Sequence, residues 1–104
     1  MYEILIVGGG PAGLTAAIYA ARAGKHVAVL ERGSTGGQII SAPLVENYPG
    51  IPSVSGTELA RQMTEQACTF GAEIVYTEAV GLEKTSAGFR VLCMDGVREA
   101  KAVI

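Results

Sequence analysis

Runs of apolar residues alternate with glycine breaks along the first third of the chain. A β-branched run over residues 1–7 predicts a buried strand, and apolar side chains at helical spacing over residues 10–23 predict a helix that stops at Gly24. Residues 26–30 are again an apolar run of strand length. Because a helix crosses over between the two strands, we expect them to be parallel neighbours in one sheet.

A second helix is predicted over residues 55–70. Ser55 at the N-cap and Glu58 three residues later have the spacing of a capping box, and Gly71 is a typical stop. We expect the apolar stripe of this helix to be buried and to consist of Leu59, Met63, Ala67 and Phe70. Cys68 lies beside the stripe, and we expect it to behave as a small apolar side chain.

The last third of the chain predicts four extended segments. They cover residues 72–77, 78–84, 88–94 and 97–104. Asp95 and Gly96 form a favoured two-residue hairpin turn, so the last two segments should be antiparallel. Strand alternation in the third segment places Phe89, Val91 and Cys93 on one side, which gives Cys93 a packing role rather than a reactive one.

The turn between the first strand and the first helix carries the strongest chemical signal. Gly8, Gly10 and Gly13 have the G-x-G-x-x-G spacing of a dinucleotide-binding turn. In that motif the first glycine allows a sharp turn, the second lets backbone approach a pyrophosphate, and the third lets the helix pack closely on the sheet. Pro11 suits the first helical turn, where free N–H groups favour a phosphate. A glycine-rich packing turn without a ligand is the alternative.

Residues downstream of this turn are further candidates. Glu31 ends the second strand about 20 residues past the glycines, where a carboxylate can accept hydrogen bonds from an adenosine ribose. Residues 32–52 form a loop rich in glycine and proline, and a loop this long usually carries function or belongs to a larger structure. Gly37, Gln38 and Asn47 lie in this loop and can bend around or bond a ligand; a simple turn role is the alternative.

Composition narrows the classes of function. Of the 104 residues, 49% are hydrophobic and 17% charged, which indicates one small globular domain rather than a disordered chain. The net charge is −2 without a basic cluster, so we expect neither nucleic acid nor an anionic membrane as a partner. Cys68 and Cys93 have neither metal-site nor redox spacing, which predicts no metal site and fits a reducing cytoplasm. His26, the only histidine, is expected to be a surface residue.

Four segments together resemble bacterial thioredoxin reductases, of the pyridine nucleotide-disulfide oxidoreductase family. They are V-G-G-G-P-A-G at 7–13, A-A-R-A-G at 20–24, G-G-Q at 36–38 and V-E-N-Y-P-G at 45–50. The resemblance implies an α/β fold, a Rossmann-like FAD/NAD(P)-binding domain in three layers, with a central parallel sheet plus an antiparallel β-meander. It also implies that residues 1–104 are the first segment of a discontinuous FAD-binding domain. The NADPH domain and the second FAD segment would be absent, and the final residues, 102–104, look like a strand in mid-course.

The resemblance also implies which residues contact FAD. The residues that it assigns to the pyrophosphate are Gly8, Gly10, Pro11, Ala12 and Gly13. It assigns Glu31 to the adenosine ribose, Arg32 to the side of the adenine, and the backbone around Val80 to the adenine edge. Gly37 and Gln38 would approach the ribityl and pyrophosphate region, and Asn47 would lie near the flavin. No catalytic residue falls in this segment, because the redox C-x-x-C of the family belongs to the NADPH domain.

The activity implied for the whole protein is electron flow from NADPH through FAD to a disulfide. A cytoplasmic homodimer that reduces thioredoxin or a similar small protein is expected, and the 104-residue piece alone should be inactive and retain FAD weakly. Ferredoxin–NADP reductases, peroxide-reductase partner flavoproteins and dithiol oxidases of the same architecture remain alternatives. So does a dinucleotide-binding module without catalysis, which would have no need of the G-G-Q and E-N-Y-P-G segments.

Overall fold

Local signals in the sequence place both α-helices and all six strands correctly. The computed structural model describes all residues, 1–104. The elements in chain order are β1 (Tyr2–Val7), α1 (Pro11–Arg22), β2 (Val27–Glu31), a short 3-10 helix (Gly37–Ser41), α2 (Gly56–Thr69), β3 (Glu73–Tyr76), β4 (Ala79–Thr85), β5 (Gly88–Cys93) and β6 (Gly96–Val103). The predicted ends differ from these by one residue at most, and only the 3-10 helix was not predicted.

The six strands form one mixed sheet in the order β3-β2-β1-β6-β5-β4. Strands β3, β2, β1 and β6 are parallel, and β6, β5 and β4 form an antiparallel meander. Strand β6 belongs to both parts, since Ala100 pairs with Phe89 of β5 and Val103 pairs with Leu5 of β1. The hairpin signal predicted the first pairing only, because a turn motif reports the neighbour in sequence and not the neighbour across the sheet.

Both faces of the parallel strands are buried, and different elements cover them. On one face, α1 and α2 contribute mainly alanine, and the cluster comprises Ile6, Ala17, Ala20, Ala21, Val27, Val29, Ala67 and Ala72. On the other face, side chains of β5 and β6 pack with those of β1 and β2, and the cluster comprises Leu5, Ala28, Leu30, Val91, Cys93 and Ala100. The expected α/β fold is confirmed as a mixed sheet with two helices, in which parallel strands are continued by an antiparallel meander. Burial on both faces explains why β1 and β2 are continuous apolar runs.

The start of α2 realises half of the predicted capping box. The Ser55 hydroxyl accepts the Glu58 backbone N–H at 3.1 Å, as an N-cap should. The Glu58 carboxylate does not return to Ser55; it accepts two hydrogen bonds from the Arg61 guanidinium, at 2.6 and 2.8 Å. Arg61, followed by Gln62, lowers the pKa of Glu58 to about 2. A charged partner one turn along the helix therefore replaces the reciprocal cap.

Two expectations about the end of α2 are wrong. Phe70 is 41% exposed, because the helix ends at Thr69. Its ring lies under the Arg22 guanidinium, whose Cζ is 5.5 Å from the ring centroid. Cys68 is exposed, because one step of 100° beyond Ala67 rotates it off the buried stripe. Cys93, in contrast, is buried beside Val91, so its packing role is confirmed.

The β5–β6 hairpin is present, but its turn is one residue earlier than predicted. Cys93 pairs with Gly96, so Met94 and Asp95 are the turn residues and Gly96 begins β6 with φ +139°. No residue other than glycine has a positive φ, so the turn is not the type that needs one at both central positions. Neither helix is long and apolar enough to cross a membrane.

Removal of the α2 cap should lower the stability of the chain by a predictable amount. Ser55→Ala leaves the Glu58 N–H without its acceptor, and we expect a loss of about 1 kcal/mol in the free energy of unfolding. Urea denaturation followed by circular dichroism measures this. Ser53→Ala, an exposed serine in the preceding loop, is the matched control and should change stability by less than about 0.5 kcal/mol. Equal losses in the two variants would contradict the capping role.

Candidate dinucleotide-binding site

The turn from β1 into α1 brings backbone against backbone. A Cβ on Gly13 would overlap the Gly8 carbonyl oxygen and lie 3.1 Å from its carbonyl carbon, so no larger residue fits there. Gly8 itself has φ +103° and donates its N–H to the Leu30 carbonyl at 2.8 Å, which ties the turn to β2. The three glycines of the motif are therefore not equivalent, since Gly13 is required by the fold of the protein itself.

Gly10 faces open space. A Cβ built there would meet no protein atom within 4 Å, and its backbone has φ −75° and ψ −174°, which any residue can adopt. Gly10 is the N-cap of α1, no side chain caps this end, and the first turn contains Pro11 but no acidic residue. The free N–H groups and the positive end of the helix dipole are thus available to an anion. No protein atom therefore occupies the space over Gly10, which lies directly at this helix N-terminus.

Glu31 connects the two loops that border this turn. Its Oε1 accepts the Gly9 N–H at 2.9 Å, and its Oε2 accepts the Gly33 N–H at 2.6 Å. The sequence predicted a ribose-binding carboxylate here and gave no sign of these two bonds. A carboxylate oxygen can accept a second hydrogen bond, so both oxygens keep capacity for a hydroxyl. Glu31 therefore links the two loops through its hydrogen bonds and can also bind a ligand.

A cleft of about 250 Å³ opens at the carboxyl ends of the parallel strands. It is lined by Val7, Gly8, Leu30, Glu31, Arg32, Thr77, Glu78 and Ala79. In open α/β sheets, ligands bind outside this edge of the sheet. Gly8, the first glycine of the predicted turn, and Glu31, the predicted ribose acid, thus line the same cleft, whereas Gly10 and Gly13 do not line it.

Arg32 and Val80 lie at the outer side of the cleft. The Arg32 guanidinium is 3.8 Å from the Glu78 carboxylate on the opposite wall, and 78% of its side chain is exposed. Val80 follows Ala79 at a bulge where the pairing of β4 with β5 skips one residue, and it is 58% exposed. The backbone groups of a bulged residue have no partner in the ladder, which fits the predicted contact at position 80.

The G-G-Q segment lies against the glycine turn, whereas Asn47 does not. Gly36 donates its N–H to the Gly9 carbonyl at 2.7 Å, and a Cβ on Gly37 would lie 3.3 Å from the Gly10 Cα. Gln38 is the exposed second residue of the 3-10 helix that follows. Asn47 is exposed between the isolated bridges of the loop, at residues 45 and 48, and does not line the cleft.

Sequence reasoning missed the outer wall of the cleft. Thr77 donates its N–H to the Glu31 carbonyl at 3.0 Å and its hydroxyl to Asp95 Oδ1 at 2.7 Å. Arg98 donates to both oxygens of Asp95, at 2.7 and 3.1 Å. Arg98, followed by Thr77, holds the pKa of Asp95 well below its usual range. No motif marks these residues, because the pairing joins positions 18 apart in sequence.

Comparison with known proteins settles the family. Residues 2–102 match the family described as "Pyridine nucleotide-disulphide oxidoreductase". The chain belongs to this family. Its fold is the Rossmann-like fold of the FAD-binding domain in thioredoxin reductases. Pyridine nucleotide-disulphide oxidoreductases of the thioredoxin reductase type use FAD and NADPH.

Several members of the family are similar to this chain. Thioredoxin reductase of Bacillus subtilis (strain 168) is 49% identical over 76 residues, which are 73% of this chain and 24% of that protein. The thioredoxin reductase structure from Streptococcus pyogenes has a TM-score of 0.96 and 45% identity, and the match covers 99% of this chain and 34% of that one. A Ferredoxin-Flavin Thioredoxin Reductase from Clostridium acetobutylicum matches with a TM-score of 0.89 and 31% identity, over 98% of this chain and 36% of that one. The chain therefore spans about a quarter to a third of the length of these relatives.

The geometry of the turn suits the diphosphate that FAD contains. The space over Gly10 is the kind of cradle that a Cβ would fill, and it lies at an uncapped helix N-terminus without an acidic neighbour in the first turn. The residues present thus fit the cofactor of the pyridine nucleotide-disulphide oxidoreductases.

The different roles of the glycines predict a contrast in stability. Gly13→Ala forces a methyl group into the Gly8 carbonyl, and we expect a loss of about 2 kcal/mol or more in the free energy of unfolding. Gly10→Ala meets no protein atom and should cost no more than about 1 kcal/mol, the difference between glycine and alanine at an N-cap. Thermal and urea denaturation measure both. If Gly10→Ala is the more damaging of the two, the assigned roles are wrong.

Proposed function

We propose that residues 1–104 form the first segment of the discontinuous FAD-binding domain of a thioredoxin reductase. The observation that carries the proposal is the open space over Gly10 at the uncapped start of α1, in a chain of this family. The chain covers about a third of the length of the thioredoxin reductase structures that it matches, which supports the proposal that it is one segment of a longer domain. In this proposal an NADPH domain and a second FAD segment complete the protein.

The charges around the cleft favour one orientation of the cofactor. The diphosphate would lie at the N-terminus of α1, against Gly8, Gly10, Pro11, Ala12 and Gly13, where the helix dipole is positive. The adenosine ribose would lie at Glu31, whose carboxylate attracts hydroxyl groups and repels phosphate. The same carboxylate would meet the 2′-phosphate of an NADPH adenosine. The site therefore suits FAD better than NADPH.

The remaining contacts follow from the positions of the predicted residues. Arg32 and the backbone at Val80 would face the adenine from the outer side of the cleft. Gly37 and Gln38, beside Gly10, would approach the ribityl and pyrophosphate region. Asn47 would lie near the flavin, outside the cleft that would hold the adenosine; its side chain is exposed in the loop.

Bound FAD would supply the redox step, passing electrons from NADPH to a disulfide, while the protein holds and orients it. The acceptor in the proposal is thioredoxin or a similar small disulfide protein, and the assembly is a cytoplasmic homodimer. In this proposal the group that reacts with the disulfide lies outside residues 1–104; Cys68 and Cys93 are both free and do not have the C-x-x-C spacing. The reductase of the Ferredoxin-Flavin type shares the fold of this segment, so the electron donor is decided outside these residues.

The test uses the complete protein that carries these residues. We expect it to be yellow when purified and to bind FAD stoichiometrically after removal and readdition of the cofactor, as calorimetry measures. Gly10→Ala should lower the FAD affinity by roughly tenfold to a hundredfold, since one added methylene in a filled site costs about 1–3 kcal/mol. A complete protein that is colourless and does not bind FAD would overturn the proposal.

Gly71→Ala is a suitable control for this experiment. Gly71 lies between α2 and β3, with φ +106° and no atom near its missing Cβ. Alanine there should cost about 1–3 kcal/mol of stability through backbone strain alone, and should leave the FAD affinity unchanged.

The separate 104-residue chain tests whether these residues are only one segment of the FAD-binding domain. It should retain little FAD after gel filtration, and full retention would contradict a discontinuous domain.

A further inference from the structure

The proposal concerns the outer wall of the cleft, residues 77–79, and rests on the function proposed above. We propose that Thr77 and Asp95 are positioning residues: their side-chain hydrogen bond fixes the outer wall at the distance that the adenosine half of the cofactor requires.

The outer wall has few attachments to the rest of the protein. It leaves β3 after Tyr76 and enters β4 at Ala79, so only two residues connect the two strands. Thr77 binds the Glu31 carbonyl through its N–H, at 3.0 Å, and Asp95 through its hydroxyl, at 2.7 Å. The Glu78 carbonyl accepts the Met94 N–H at 2.9 Å. Two of these three bonds run to the tip of the β5–β6 hairpin.

Thr77 is buried, which is unusual for a hydroxyl residue in this protein. It is 9% exposed and is the single polar residue in the buried set. A buried hydroxyl without an acceptor would cost more than the bond contributes, so the Asp95 oxygen is needed for the wall to stay in place. The hydroxyl therefore acts through Asp95, and neither side chain has to touch the cofactor.

Asp95 is a firmly held acceptor although half of its side chain is exposed. Both of its oxygens accept from the Arg98 guanidinium in a two-point arrangement, which fixes the plane of the carboxylate. The hairpin behind it is anchored in turn, since Val91 and Cys93 pack against the parallel strands. The position of the wall is thus set by the core through the hairpin tip.

Loss of this bond should affect one part of the cofactor more than the others. The proposed diphosphate position depends on Gly13 and the start of α1, which do not line the cleft; the atoms nearest to a Cβ at Gly13 belong to Gly8 and Ile6, not to the hairpin. The adenosine would lie between Glu31 and the outer wall, next to the unpaired backbone of the bulge at Val80. A wall released from Asp95 can move away from Glu31, so ligands that contain adenosine should bind more weakly.

The experiment measures the affinity of the complete apoprotein for FAD and for ADP, a probe that carries only the adenosine and diphosphate. Thr77→Val keeps the shape and removes the hydroxyl, and Asp95→Ala removes the acceptor. We expect each variant to lower the affinities for FAD and for ADP by the same factor, about threefold to tenfold, which corresponds to the loss of one hydrogen bond. The double variant should bind both ligands no more weakly than the weaker-binding single variant, since the two substitutions remove the same hydrogen bond. Thr77→Ser, which keeps the hydroxyl, should bind within twofold of the wild type.

Ser55→Ala separates positioning from loss of stability. It should destabilise the domain by a similar amount at a site outside the cleft, and it should leave both affinities unchanged. The inference is overturned if Thr77→Val binds FAD and ADP like the wild type, if Thr77→Ser is as weak as Thr77→Val, or if Ser55→Ala weakens the ligands equally.

The same series distinguishes this inference from the proposed function. If the wild type binds FAD, Gly10→Ala binds it about tenfold to a hundredfold more weakly, and Thr77→Val binds it normally, only the positioning role is wrong. If the wild type binds neither FAD nor ADP, the proposed function is wrong and the positioning role fails with it.

Discussion

The close approach of α1 to the end of β1 is the constraint on which the rest of the structure depends. Because Gly13 has no Cβ, the first turn of the helix lies directly on the Gly8 carbonyl. The same closeness continues along the helix, where Ala17, Ala20 and Ala21 face the sheet with at most 9% exposure. Small side chains let the helix axis approach, and the approach aims the helix N-terminus at the edge of the sheet where the cleft opens. The close packing of α1 and the position of its uncapped N-terminus therefore have one cause.

Glu31 makes the second essential connection, and it combines two roles that sequence motifs treat as one. A carboxylate at the end of the second strand is expected to bind ribose, but in this structure it also accepts the Gly9 and Gly33 N–H groups. Those two hydrogen bonds fix the positions of the loops that follow β1 and β2 relative to each other. A substitution at Glu31 would consequently change the shape of the turn as well as the contact with a sugar, so it is a poor probe of ribose binding. Gly10 is the cleaner probe, because its environment within the protein is empty.

The success and failure of prediction from the sequence follow from the range of each interaction. Helices and strands are set by periodicity, by the Ser55 cap and by glycine stops, all of which act within a few residues, and their ends were predicted closely. The second pairing of β6 was not predicted, because no local signal reports a partner on the other side of the strand. The exposure of Phe70 was missed because its interaction with Arg22 depends on how two helices meet. At the site, the glycine turn was evident from spacing, while the Thr77–Asp95 bond joins two otherwise ordinary residues across the fold.

The two halves of the sheet divide the work of the site between them. The parallel half includes the uncapped start of α1, and the outer wall of the cleft connects the parallel strand β3 to the meander. Strand β6 is the hydrogen-bonded link between the halves, since it pairs with β1 on one side and β5 on the other. The same fold matches the thioredoxin reductase structure from Streptococcus pyogenes and the Ferredoxin-Flavin Thioredoxin Reductase from Clostridium acetobutylicum, although the name of the second specifies an electron donor and that of the first does not. Under the proposed function this likeness has a physical reason: residues 1–104 would be constrained by the shape of FAD, and the choice of electron donor and acceptor would depend on other parts of the protein.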